Sequence, residues 1–596
     1  MSNKNKEPVT RRDFLELSAK VASSAVGVIS LSGLTLSLGW AKNEVKVDIK
    51  NIIQTKEECD VLVIGGGMAG LFAAVKAHDA GAKVLIASKG RVGTSGQTPF
   101  AKGIFSYDEK NEKLSIDEFV EKVSRSALQS NNKTFTRQMA KNSKARVEEL
   151  KQWGFFDSAL CHNSFMKPIN EREIPLIERV MITHLIKENG KIAGAAGFSL
   201  DDEKIYTFKA KTVILCTGAG GFKPNGFPIC DLTHDGTIMA YDIGAKVTGK
   251  EWNDGHPGSA KNSADSFGNW HGMFERVPST TTIQVNHHLG VDINYMAYVS
   301  GNSIKMGPPG MEGENKIKGG PYTPEEFSIN NQDRKGPPPP RRDEGDEGPR
   351  GEHRKRPPGM NATPVGGSSA GLAIHKSEGL VPINENCEST IKGLYAAGDA
   401  LGSYMSGGIY TQIGSSLAGS AVQGAVAGEA AAKYSQTIDM PKITKKKIAK
   451  IKKEILAPLK KEAGYSPAWV TQTLQGIMIP NFVLYIKKEN ILKGALAYVQ
   501  ELEETHIPNL KASDMHELRL AHETKNMIIS AKMKLKASLM RKESRCSHFR
   551  LDYPKIDNKN WQAWINIYKG KNGKMKFEKQ PFNTWAKVAR KESYEK

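Results

Sequence analysis

Apolar residues first concentrate near position 60. The run Val61-Leu62-Val63-Ile64 leads into Gly65-Gly66-Gly67-Met68-Ala69-Gly70, and a helix-type pattern continues through Ala80. A second short apolar run, AKVLIAS, covers Ala82 to Ser88. Strand, glycine-rich turn, helix, strand is the opening βαβ unit of a dinucleotide-binding fold. Gly65, Gly67 and Gly70 place GxGxxG in that context. The first glycine permits the tight turn, the second lets a pyrophosphate approach the backbone, and the third lets the helix pack on the sheet. The helix N-terminus then offers amide donors and partial positive charge to phosphates.

Further along, Ile116 to Trp153 reads as helical, and residues 177–216 alternate as strands. A Gly-rich segment with a helix covers Gly218 to Gly249. Gly307 to Met360 is rich in Gly and Pro, with Pro337 to Pro340 consecutive, and is expected to be a long loop or insertion. The run GLYAAGDA at 393–400 is another apolar strand ending in glycine, followed by a Gly/Ala/Ser-rich helix to Ala432. From Thr444 onward the pattern is helical, amphipathic and lysine-rich.

Composition narrows the picture. At 596 residues, with 39% hydrophobic and 25% charged positions, the chain is an ordinary globular protein of several domains. Lys+Arg 84 against Asp+Glu 64 leaves +20. Most of those lysines are expected to form a solvated surface, with steering of anions or acidic partners as the functional reading. Six cysteines form no CxxC pair, so neither an iron–sulfur cluster, a c-type haem nor a zinc site is expected, and no metal.

The N-terminus reads as an address. Thr10-Arg11-Arg12-Asp13-Phe14-Leu15 precedes a weakly apolar run from Val21 to Leu38, ending Gly39-Trp40-Ala41. This is the order of a secretory signal of twin-arginine type, over 1–41. Its Ser, Thr and Gly content argues against a membrane anchor, and no other apolar run reaches about twenty residues, so the mature protein is expected to be soluble and periplasmic. Nucleic-acid binding does not fit an exported chain.

Four motifs then carry a resemblance. Besides GGGMAG, the chain has Thr233-His234-Asp235-Gly236 followed by Ala240, Gly244-Ala245, Glu251 and His256-Pro257. It has Gly393-Leu394-Tyr395-Ala396-Ala397-Gly398-Asp399, and Glu543-Ser544-Arg545, His548, Arg550 and Asp552-Tyr553-Pro554 with Trp561. Together these resemble the flavoprotein subunits of succinate dehydrogenase, fumarate reductase and adenylylsulfate reductase. The resemblance implies an α/β fold with a Rossmann-like FAD-binding domain in two segments, 57–255 and 363–435. A capping region at 256–362 and a helical C-terminal domain at 436–596 complete it. It further implies that FAD is contacted by Met68, Ala69, Lys89, Ser95, Gln97, Gly103, Thr217, Gly218 and Asp235 as well as the glycines. Asp399 would bond the ribityl chain, and the helix start at Ser415, Ser416 and Leu417 would face the flavin pyrimidine end. Ser88 stands where the family usually has Glu for the adenosine ribose.

The departures bear on chemistry. Gly96 occupies the position of the histidine that links covalently to FAD, so the cofactor is expected to be noncovalent. The family's dicarboxylate-clamping His and Arg are missing from Gly407-Gly408-Ile409-Tyr410-Thr411-Gln412-Ile413. That stretch is also similar to the GGxYP turn of flavin ketosteroid dehydrogenases, where a tyrosine polarises a carbonyl. Tyr410 is therefore a catalytic candidate, with packing beside the flavin as the alternative. His256 is a second candidate for proton transfer, with a His-Pro turn as the alternative. His375 and His548 read as structural. The expected function is an exported FAD-dependent reductase that moves a hydride to an activated C=C of a small organic acid or ketone. Its electrons would come from a separate iron–sulfur or cytochrome subunit, through which it could associate with a membrane. The alternatives are a dehydrogenase, an adenylylsulfate-reductase-like enzyme, and an electron-transfer subunit without substrate chemistry.

Overall fold

The computed structural model describes residues 47–587, apart from 48, 102, 111, 113, 224–228, 230, 254–255, 259–276, 282, 284–367, 372–377, 409–411, 413, 479–480 and 485. The chain divides into two units, Met1–Val45 and Lys46–Lys596, and the described residues all belong to the second. The signal at 1–41 and the Gly/Pro-rich stretch at 307–360 lie outside the described residues, as do Tyr410 and His375.

The principal sheet is built from β1 (Ile53–Ile64), β2 (Val84–Ala87), β3 (Leu176–Ile177), β4 (Val180–Glu188), β5 (Lys191–Ser199), β6 (Lys204–Leu215) and β7 (Leu394–Ala396). Its order is β3-β2-β1-β6-β5-β4, and β7 also pairs with β6. β1 lies parallel to both β2 and β6, with Leu62 opposite Leu85 and Val213. Residues Val61–Ile64 are all buried, as a strand covered on both faces requires. β4, β5 and β6 form an antiparallel extension of the sheet. The second FAD-binding segment thus returns to the first through β7, whose Leu394–Ala396 run parallel to Val213–Leu215.

Between β1 and β2 runs α1 (Met68–Asp79), nearly all of it buried. The region 116–153 forms two helices, Ile116–Ser126 and α2 (Lys133–Gln152), because Ser115 caps the first with a capping box and Asn132 caps the second. α3 (Asp235–Asp242) follows β6. α4 (Ser415–Ser435) lies directly on α1. The approach is close enough that a Cβ on Gly424 or Gly428 would strike the Ala69 or Ala73 carbonyl, which accounts for the small-residue composition of that helix.

The C-terminal part is helical through α5 (Met515–Met540). It then closes with a hairpin, β8 (Ala563–Lys569) against β9 (Met575–Pro581), that helical periodicity does not single out. β8 also pairs with Val247–Thr248, so the end of the chain is stitched back onto the first half. Trp564, fully buried, stacks on Tyr404 at 4.3 Å and meets Trp252 edge-on at 4.5 Å. No described helix is long and apolar enough to cross a membrane. The five described cysteines are buried, and Cys230 lies outside the described residues.

Candidate functional site

At the carboxyl ends of β1 and β2 a cleft opens where the sequence places the nucleotide site. Gly65, Gly67, Met68 and Ala69 form one wall. Ser88 and Lys89 extend from β2, and Ser95, Gly96 and Gln97 from the loop after it. Thr217, Gly218 and Asp235 close the far side, and Asp399, Ser416 and Leu417 complete the other end. Three expected contacts do not line the cleft. Gly70 lies behind it, where a Cβ would strike the Gly65 carbonyl, so its role is to let α1 meet the turn. Gly103 sits in the strand Gly103–Phe105. Ser415 is turned inward and donates to the Gln412 carbonyl at 2.8 Å. Of the catalytic candidates, Tyr410 and the side chain of His256 lie outside the described residues.

Local backbone chemistry shapes the wall. Gly65 has φ +117°, a conformation that residues with side chains rarely adopt, and a Cβ there would strike the Cys216 carbonyl. Thr98 Oγ1 accepts from the Met68 amide at 3.1 Å, tying the 95–101 loop to the start of α1. The first intrahelical bond of α1 is from the Leu71 amide to the Gly67 carbonyl, so the Ala69 and Gly70 amides precede the ladder and point along the helix start.

The cleft fits FAD by two observations. A Cβ on Gly66 would lie 2.8 Å from Val92 Cγ2 and 2.9 Å from Ser88 Oγ, so only a bare backbone fits between the strand ends. Both amide atoms of Gln97 are buried in the cleft wall without a hydrogen-bond partner among the described residues. A cofactor bearing carbonyl and N–H groups would satisfy them.

The floor is ionic. Lys89 Nζ donates to Asp235 Oδ2 at 2.7 Å, Glu523 Oε1 at 3.0 Å, Thr233 Oγ1 at 3.2 Å and the Asp231 carbonyl at 2.6 Å. Asn526 and Thr233 donate to the other Asp235 oxygen at 2.9 and 2.8 Å. Burial works against charge on Lys89, but Asp235 and Glu523 outweigh it and hold the ammonium firmly protonated. The expectation of a solvated lysine surface therefore fails here, and it fails again for Lys250, Lys487 and Lys534, all buried. The reason is that each finds carboxylate or carbonyl oxygens inside the fold.

The ESR…H.R.D motif is a second buried network. Arg541 donates to Glu251 at 2.7 Å and to Glu543 at 2.8 Å, Arg545 grips the same Glu543, and Arg550 pairs with Asp552 at 2.7 Å. His548 Nδ1 lies 2.9 Å from Lys487 Nζ, and burial together with Lys487, Arg541 and Arg550 keeps the imidazole neutral. Ser547 Oγ donates to the Gly408 carbonyl at 2.7 Å and accepts from the Asn253 amide at 3.0 Å. The stretches leading to His256 and Tyr410 are thus both anchored on this motif. Sequence reasoning left out Gly66, Thr98, Asp231 and Met239 of the cleft lining. GGG offered a signal for the first. Thr98 and Met239 stand beside Gln97 and Ala240 in stretches the resemblance does cover, and Asp231 carries no signal of its own.

Comparison with known proteins matches residues 60–165 to an FAD binding domain and residues 471–594 to the fumarate reductase flavoprotein C-term. The chain is an FAD-dependent oxidoreductase, a flavoprotein similar to those of fumarate reductase and succinate dehydrogenase. This flavoprotein is 28% identical over 582 residues to an uncharacterized FAD-dependent oxidoreductase of Methanocaldococcus jannaschii, covering 88% of this chain and 98% of that one. It is 24% identical over 568 residues to a subunit of the fumarate reductase (CoM/CoB) of Methanothermobacter marburgensis, covering 83% and 95%. Adenylylsulfate reductase from Archaeoglobus fulgidus shares the fold, with TM-score 0.63 and 20% identity over 91% of this chain and 99% of that one. Among the described residues of the flavoprotein, no group of three or more His, Cys, Asp or Glu could hold a metal ion.

Proposed function

We propose that the flavoprotein is an exported reductase that delivers a hydride to an activated C=C of a small organic acid or ketone, using noncovalent FAD. The observation that supports it most is the anchoring of two stretches on one buried network. The motif typical of fumarate-reductase-type C-terminal regions holds Glu251–Asn253 and Gly408 in place, and those stretches continue into His256 and Tyr410. Bound FAD supplies the two-electron chemistry. Gln97 and the first amides of α1 bind and orient it, and the Lys89–Asp235–Glu523 floor holds the cleft wall in place. Tyr410 donates a hydrogen bond to the substrate carbonyl, and His256 moves the proton. Gly96 removes the side chain that would link to the flavin. Electrons come from a separate iron–sulfur or cytochrome subunit, in keeping with the relative that is itself one subunit of a fumarate reductase. The twin-arginine stretch at Arg11-Arg12 directs the folded, loaded protein to the periplasm.

The test is an anaerobic screen in which FAD-loaded protein oxidises a reduced viologen in the presence of unsaturated acids and ketones. Substrate-dependent dye oxidation with an unsaturated acceptor supports the reading. Dye oxidation that no acceptor accelerates, alongside rapid electron exchange with a redox protein, would replace it with electron transfer alone.

A further inference from the structure

Behind the loop that opens α3, four titratable side chains meet away from solvent. His234 Nδ1 lies 2.5 Å from Glu378 Oε1, Lys250 Nζ lies 3.0 Å from the same oxygen, and Lys534 Nζ lies 2.9 Å from Oε2. None of the four side chains is more than 2% exposed. They come from four separate stretches: the residue before α3, the segment after Val247–Thr248, the residue before Gly379–Leu380, and α5. His234 reaches Glu378 because it adopts the left-handed conformation, φ +64°, with its ring packed against Gly220.

The charge count in this cluster does not balance. One carboxylate faces two ammonium groups and an imidazole, a surplus that is costly in a dry interior. The remaining acceptors are neutral. Lys250 donates to Ser530 Oγ at 2.9 Å, while Lys534 donates to Asn253 Oδ1 at 3.1 Å and the Lys250 carbonyl at 3.2 Å. Of the next charged groups, Glu251 gives its Oε1 to Arg541 and also favours charge on Lys534, and Lys487 points to the Glu251 carbonyl and His548. Among the described residues no second carboxylate forms an ion pair with Lys250. Burial would raise Glu378, but Lys250, Lys534 and His234 hold it well below the usual carboxylate range. Burial lowers Lys250, Lys534 lowers it further, and Glu378 restores only part, leaving it at about 8. Lys534 and His234 are also lowered, by burial first. The cluster is joined to the cleft through the chain, because His234 is followed by Asp235, which lines it.

We propose that the Lys250–Glu378–Lys534–His234 cluster is a redox-linked proton site: two-electron reduction of the cofactor in the adjoining cleft draws one proton from solvent onto Lys250 Nζ. The only bond formed in the cluster is that N–H. The electrons come from the external donor and stay on the cofactor. The cause is Coulombic, since negative charge added to the cleft favours the ammonium form in a low-dielectric interior. By linkage the bound proton favours reduction in return.

The test is a potentiometric titration of the full-length, FAD-loaded protein from about pH 6 to about pH 10. The pH dependence of the flavin midpoint potential should steepen above about pH 8, where Lys250 is neutral before reduction, by one additional proton per two electrons. Lys250→Arg keeps the charge but does not titrate in this range, so the steepening should vanish at unchanged FAD content. A wild-type midpoint without steepening overturns the proposal by itself, whether or not the variant folds. Steepening that persists in Lys250→Arg overturns it as well. Dye-monitored proton uptake on reduction in weak buffer gives a second reading, with extra uptake expected above about pH 8 in the wild type and none in the variant.

Discussion

Two lysines drawn into the fold, Lys89 (16% exposed) and Lys250 (fully buried), lie on either side of the loop that begins α3, and their surroundings differ. Lys89 itself meets two carboxylates, Asp235 and Glu523, within 3.0 Å, and Glu523 is shared with Lys223 and Arg519. Lys250 shares one carboxylate, Glu378, with a second ammonium. Burial works against charge on both, yet the first is pushed up and the second down to about 8. Burial therefore does not decide what a buried lysine does. The number of carboxylates the ammonium itself meets, set against neighbouring cations, does. The lysine with two carboxylates is a strut for the cleft floor, and the one with a single shared carboxylate is poised to exchange a proton.

The strongest way to break this comparison is to remove the carboxylate on each side. Glu378→Gln strands two ammonium groups and should cost about 3–5 kcal/mol in denaturant unfolding at neutral pH. Glu523→Gln leaves Lys89 with Asp235, and Lys223 and Arg519, which also lose this partner, keep some contact with water, so it should cost less, about 1.5–3 kcal/mol. Equal losses would mean that the charge count does not govern these sites.

A cleft-wall substitution ranks next. Gly66→Ala places a methyl against Val92 and Ser88 and should weaken FAD retention about tenfold, roughly 1.4 kcal/mol, measured as flavin per protein after dialysis. Gly494→Ala, in the helix Glu489–Glu501 with open space around it, should leave the flavin content unchanged.

The pH dependence sharpens the comparison further. Unfolded Lys250 titrates at its ordinary 10.5 and the folded residue at about 8, so between these values the unfolded state binds more protons. Stability should rise with pH across that window, and the cost of burying the charge is fully present below it. Lys250→Met should flatten the rise in unfolding midpoint against pH, while Lys89 adds no slope there. The smallest effect is expected for Gln97→Leu, which deletes a side chain with unpaired amide atoms in the cleft wall. FAD should bind several-fold more weakly, about 1 kcal/mol, with folding stability of the FAD-free protein unchanged.

These sites differ in how far they can be read along the chain. The turn at Gly65–Gly67 is visible because its requirement is local: a glycine conformation between a buried strand and a helix. Asp399 and Leu417 likewise follow strand and helix starts that carry a pattern, and the cleft brings them together. Glu378 offers no such signal. It precedes a two-residue strand, and its partners stand at 234, 250 and 534. Lys250 and Lys534 look like ordinary surface lysines until long-range packing removes their water. The hairpin β8–β9 was masked by the lysine-rich, helix-like composition around it, and its pairing with Val247–Thr248 is set by burial of Trp564 rather than by local propensity.

The most direct measurement concerns the cofactor itself. Purified, folded protein should carry one flavin spectrum, and heat or acid denaturation should release all of it to the supernatant as intact FAD, because Gly96 offers no side chain to bond it. Folded protein without flavin, or flavin that stays with the denatured polypeptide, would contradict the account.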